Sequence, residues 1–253
     1  MSTDGIPGPV VSIVEDGRVP DSAVPLGGRR GPVSLAHAAA RFRPDARALV
    51  QRWQTAEGCW GDQRLQIVLQ AVALMRDRKA VDDLLTLLRG EPAPSTRALV
   101  LAALGAFDHL GPVPARVYAD VEDRLTAESE DTTVRSAAAQ CLGQFGSPAA
   151  IGPLLNATES PDPALRGGAI TALGDLASSA DLGPDDLRTV VEALAGMLAV
   201  ETDEGLALDL VGALGRLARK GQPDALAALR EVNDRNRAVL RAARYFLPPA
   251  EKP

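Results

Sequence analysis

The chain repeats itself, and no other feature of its 253 residues restricts the fold as much. "TVRSAAAQCLGQF" (Thr133–Phe145) and "ALRGGAITALGDL" (Ala164–Leu176) both read x-[VL]-R, a run of small residues, Leu-Gly, and an apolar residue two places on. "STRALVLAALGAF" from Ser95 and "GLALDLVGALGRL" from Gly205 are two further copies. Their closing glycines Gly105, Gly143, Gly174 and Gly215 fall 38, 31 and 41 residues apart, the period of a stacked helical hairpin. Within the copies the apolar residues keep helical spacing and correspond column by column. Val134, Ala138, Cys141, Leu142 and Phe145 match Leu165, Ala169, Ala172, Leu173 and Leu176, and both sets match Leu206, Leu210, Ala213, Leu214 and Leu217. Cys141 thus stands in a column of alanines and reads as a small buried hydrophobe.

The glycines follow from the same architecture. A glycine inside a helix costs roughly 1 kcal/mol relative to alanine, yet one of these helices carries Gly167, Gly168 and Gly174. In an array each hairpin buries its face only against its neighbours. Gly or Ala in the contact row lets backbones approach, and the dispersion contacts offset the propensity loss. A second helical segment precedes each copy, several opened by proline (Pro112, Pro148, Pro184, Pro223), which suits the first helical turn. An earlier hairpin leads from "AVDDLLTLL" into the Ser95 helix, a weaker one starts at Asp45, and "RNRAVLRAARYFL" ends the array as a half-degenerate copy.

This unit resembles the HEAT repeat, in the short form also found in the phycobilisome lyases. The resemblance runs from about Asp45 to Leu247 and is clearest from Ser95 to Leu217. It implies an all-α, right-handed α-solenoid of about five to six hairpins. Members of that family carry an Asp-x-x-Val-Arg turn whose acid and base form a ladder between repeats. "DTTVR" (Asp131, Arg135) and "DPALR" (Asp162, Arg166) match it, Asp203 keeps only the acid, and Arg97 only the base. The family also lines its inner curve with the exposed row of the second helices. Here that row is Ser136, Gln140 and Gln144, then Gly167, Thr171 and Asp175, then Leu208, Gly212 and Arg216. The polar members Ser136, Gln140, Gln144, Thr171, Asp175 and Arg216 are the candidate partner-binding residues.

Outside the array the composition changes. Residues 1–33 are expected to be a flexible tail, since eleven of the first 32 residues are Gly or Pro. A capping helix is expected from Ser34, the array continues to residue 247, and residues 248–253 form a short tail. The tail's "PVVSIVEDG" is either a chance apolar run or a short docking segment.

The chemistry-bearing residues are sparse. His37 and His109 have no metal-ligand spacing, and no His-Glu pair, Cys-x2-Cys, nucleophile elbow or Walker loop occurs. No metal and no cofactor are therefore expected. The di-iron chemistry of deoxyhypusine hydroxylase, a HEAT-repeat enzyme built on His-Glu pairs, has no counterpart here. "RWQTAEGCWGD" gathers Trp53, Trp60 and Asp62 and is a candidate second site. HEAT-like alkylpurine DNA glycosylases use tryptophans and an aspartate on a basic surface. The formal net charge of −6 opposes that reading, because affinity for nucleic acid comes from Lys and Arg neutralising phosphates. No apolar run is long enough to span a membrane, and a cytoplasmic location is expected. These observations point to a non-catalytic scaffold or adaptor that holds a protein or peptide on its concave face. The lyase resemblance implies an alternative, an enzyme or accessory subunit acting on a small molecule or its carrier protein. A DNA-lesion binding protein is the third reading. Oligomeric state is not legible.

Overall fold

The computed structural model describes residues 80–90, 93–107, 113–179, 181–232 and 237–248. Among these residues it contains ten α-helices, one 3-10 turn and no strand. The 1–33 tail, the Ser34 helix, the first hairpin and the Trp53, Trp60 and Asp62 stretch lie outside the described residues, as do His37, Cys59, His109 and most of the C-terminal tail. The chain divides into two compact units, Met1–Asp120 and Val121–Pro253.

In the first unit α1 (Ala80–Gly90) packs against α2 (Pro94–Gly105). The pair buries Leu84, Leu85 and Leu88 of α1 with Val100, Leu101 and Leu104 of α2. Asp82 and Asp83 in the first turn of α1 and Arg89 in its last turn complement the helix dipole. Helix α3 (Ala115–Thr126) begins in this unit and ends in the next. Its first turns are tied to α1 by a two-pronged Arg89–Asp120 pair, at 3.1 and 2.5 Å, and by Arg116–Asp82 at 2.8 Å. These pairs are largely exposed and add little stability.

The second unit continues from α3 through α4 (Thr132–Phe145), α5 (Ile151–Ala157), α6 (Pro163–Ser179), α7 (Pro184–Val200), α8 (Glu204–Arg219), α9 (Pro223–Arg230) and α10 (Arg237–Phe246). Helix α4 packs on α6, α6 on α8 and α8 on α10, while α5 touches α7 and α7 touches α9. The unit is thus a two-layer helical solenoid, each layer taking one helix from every hairpin. Proline opens the first helix of a pair at Pro184 and Pro223, where its missing N–H leaves nothing unpaired. Pro148 instead opens a 3-10 turn, Pro148–Ala150, that runs into the short α5. Helix α4 ends on Gly146, whose φ of 68° is the left-handed closure that glycine accepts most readily.

The expected core columns are buried in all three second helices, with Leu142, Leu165, Leu173, Leu210 and Leu214 fully enclosed. Phe145 is the exception, only half-buried at the end of its helix. Cys141 is 1% exposed, and burial pushes its thiol well above the ordinary value, so it is an inert packing group. The repeated glycines sit where helix meets helix. A Cβ on Gly143 would come within 2.7 Å of the Ala172 carbonyl oxygen, and one on Gly174 within 2.6 Å of the Ala213 Cβ. One on Gly215 would strike the Phe246 ring at 2.5 Å. Each glycine of one second helix therefore receives the next helix of the layer.

Candidate functional site

The Asp-x-x-Val-Arg turns are built differently from the expected ladder. Asp131 Oδ1 accepts from the Thr133 backbone N–H at 2.8 Å, Asp162 Oδ1 from Ala164 at 2.8 Å, and Asp203 Oδ1 from Leu206 at 2.9 Å. The three acids are the N-caps of α4, α6 and α8, each satisfying one of the unpaired donors of a helix start. The Ala164 bond is the main cause holding the Asp162 carboxyl below its ordinary value, aided by Thr132 at the start of α4. The arginines turn to backbone: Arg135 Nε donates to the Leu125 carbonyl at 2.9 Å, and Arg166 Nη1 to the carbonyls of Ser160 and Pro161 at 2.9 and 3.0 Å. Asp131 and Asp162 form no ion pair with Arg135 or Arg166. Capping needs no arginine, which explains how Asp203 keeps its place although Ala207 replaces the base.

The candidate row resolves into two parts. On α4 the expected residues stand one turn apart: Ser136 is half-buried with its hydroxyl against Gly168 of α6, and Gln140 and Gln144 are exposed. On α6 and α8, Thr171, Asp175 and Arg216 are drawn together. Arg216 Nη2 lies 3.2 Å from Asp175 Oδ1 and 3.3 Å from the Thr171 carbonyl oxygen, so one guanidinium stitches the two helices. Gly174 makes this possible, since a Cβ there would meet that same nitrogen at 2.6 Å. Gly167 does not belong to the open row. It is buried beneath Asp209, whose Oδ2 would lie 2.9 Å from a Cβ at that position.

Asp209 is the residue that sequence reasoning missed. In the repeat columns it aligns with Gly168 and Ala137, so an acid among small residues was the available signal. Partial burial pushes its carboxyl upward; Arg216 opposes the shift and Asp203 adds to it. A cavity of about 370 Å3 was also beyond sequence reasoning. Its lining includes the apolar residues Leu198, Ala207, Ala228 and Val239 and the acids Glu201 and Glu231. It forms where the α7–α8 turn approaches α9 and α10. Among the described residues no cluster of His, Cys, Asp and Glu is arranged to hold a metal, and no helix is long and apolar enough to cross a membrane.

Successive helical hairpins, columnar cores and recurrent glycine seams define a repeat protein of the α-solenoid class. Part of the chain is similar to a particular repeat: residues 118–206, from α3 into α8, match the family model for HEAT repeats. Two solved structures share the fold. A chain of the CpcE–CpcF complex of phycocyanin lyase from Nostoc sp. PCC7120 is 20% identical with a TM-score of 0.51, over 67% of this chain and 99% of that one. A Kap121p mutant is 16% identical with a TM-score of 0.58 over 85% of this chain, which spans only 24% of Kap121p. No curated protein matches the chain.

Proposed function

We propose that this protein is a non-catalytic scaffold that holds a protein or peptide partner on the exposed face of its second helices. The observation that carries the reading is the polar surface of the second helices, with Gln140 and Gln144 exposed on α4 and Thr171, Asp175 and Arg216 joined across α6 and α8. Rigid helices present it, and the glycine seams hold their spacing, so binding it orders little of the scaffold itself. A chain that shares this fold comes from a protein complex, that of CpcE and CpcF. The reading is tested by capturing the tagged chain from its native cell beside a Gln144→Glu, Asp175→Lys, Arg216→Glu variant. The two reversals preserve opposite charges across the α6–α8 junction but remove the donor to the Thr171 carbonyl, so capture is compared only where a melt shows the variant folded. A partner that co-purifies with the parent and is lost with the folded variant is the expected outcome. Equal capture by both moves the binding surface elsewhere.

The second reading, an accessory subunit acting on a small molecule, has the 370 Å3 cavity in its favour, a volume within the usual range of ligand pockets. A thermal shift with a small molecule that Ala207→Trp abolishes would support it. The residues of the DNA-lesion reading, Trp53, Trp60 and Asp62, lie outside the described residues.

A further inference from the structure

The last helix of the array gathers positive charge on one line. Arg237, Arg241 and Arg244 stand at i, i+4 and i+7 of α10, so they share a narrow arc of the helix surface, and all three are exposed. Val239 and Ala243, on the opposite side, are buried. Beside the last of these arginines stands Tyr245, 73% exposed and one of two large exposed hydrophobic residues among those described. It is not loose. The Phe246 ring meets it edge to face at 5.3 Å, and the Arg219 guanidinium of α8 lies 5.0 Å from the Tyr245 centroid and 4.7 Å from that of Phe246. Cation–π contact thus adds a fourth positive charge and fixes an outward aromatic ring. Among the described residues no carboxylate forms an ion pair with Arg219, Arg237, Arg241 or Arg244.

An exposed helix face needs only to be polar, and mixed signs meet that need better than one sign, since like charges one turn apart repel. The rest of the second unit mixes its charges, as in Arg188 with Asp185 on α7, and the chain as a whole is at −6. Arginine and tyrosine are also the residues over-represented where binding energy concentrates.

We propose that the outer face of α10 docks an acidic helical segment of a protein partner. Carboxylates spaced one turn apart would face Arg237, Arg241 and Arg244, whose guanidinium N–H groups donate to carboxylate oxygens, Arg241 through its Nη atoms since its Nε already donates to the Arg237 carbonyl, and an apolar residue would lie on Tyr245. The stripe is only about 10 Å long on the helix axis. An acidic helix fits that length, whereas a longer polyanion is opposed by the net charge of −6. No residue of this surface belongs to the Gln140–Arg216 row, so the proposal stands apart from the function proposed above.

The test is fluorescence anisotropy of the full chain with a fluorescein-labelled helical peptide bearing Glu at i, i+4 and i+7 with a neighbouring Leu. Saturable binding that weakens with salt is expected, with a loss of about tenfold or more in Arg237→Glu, Arg241→Glu, Arg244→Glu and a smaller loss in Tyr245→Ala. Arg241→Glu alone keeps the test readable if the triple variant melts early. Undiminished binding by folded charge-reversed protein overturns the proposal, as does no binding to the parent. Tighter binding of a single-stranded oligonucleotide or of anionic vesicles than of the peptide also overturns it, in favour of a phosphate-bearing partner.

Discussion

At the scale of single residues the chain separates two kinds of helical glycine. Gly174 is a contact surface, where an added methyl group would stand 2.6 Å from the Ala213 Cβ and 2.9 Å from its Cα. Gly196 of α7 has nothing within 4 Å. Gly174→Ala should therefore destabilise by about 1–3 kcal/mol through overpacking, although alanine is the better helix former. Gly196→Ala should stabilise by about 0.5–1 kcal/mol through propensity and the less flexible unfolded chain. Chemical denaturation of both variants checks the pair, and two shifts of the same sign would remove the seam from the account of the fold. The alignment marked Gly174 by its recurrence, but nothing in the sequence distinguished it from Gly196 in mechanism, because the distinction depends on what stands opposite.

At the scale of elements, the starts of α4, α6 and α8 each rest on one aspartate. Asp203→Ala should cost about 1 kcal/mol by leaving the first turn of α8 uncapped, read as a lower midpoint in urea. An unchanged midpoint would show that water replaces the cap without loss. Asp162 adds a pH dependence. Its folded carboxyl titrates below its ordinary value, so the folded state binds fewer protons there than the unfolded chain. The resulting stability is fully present above the unfolded value of about 3.9 and is lost as the pH falls through the folded one. Asp162→Asn should therefore melt below the parent at pH 7, with the gap closing toward pH 2; a gap that persists at pH 2 assigns the effect to packing. The sequence located these acids correctly and misassigned their partners. Column spacing says that Asp131 and Asp162 recur at a turn, while the choice between a distant guanidinium and a nearby N–H is made by the path of the loop.

At the scale of the whole solenoid, stability is carried from neighbour to neighbour, each helix layer held mainly by the one before it. Helix α6 packs on both α4 and α8, whereas α10 closes the series through Phe246 on Gly215. Phe246→Ala should accelerate amide exchange in α10 and at the C-terminal end of α8 while leaving α4 and α6 protected. Hydrogen exchange with mass spectrometry reads this directly, and a uniform acceleration across the unit would mean that it unfolds as a single cooperative block.

The sequence by itself determined the helical period, the repeated core columns and the class of repeat. Those depend on residue spacing along a helix, which the chain carries in its order. Only the tertiary structure decided that the turn acids are caps, that Arg216 joins α6 to α8 across Thr171 and Asp175, and that Asp209 covers Gly167. It alone brought Arg219 of α8 onto Tyr245 and Phe246 of α10. Each of these is a meeting of side chains from different helices, and their distances follow from how closely the glycine seams let the helices approach, a quantity that no single helix encodes.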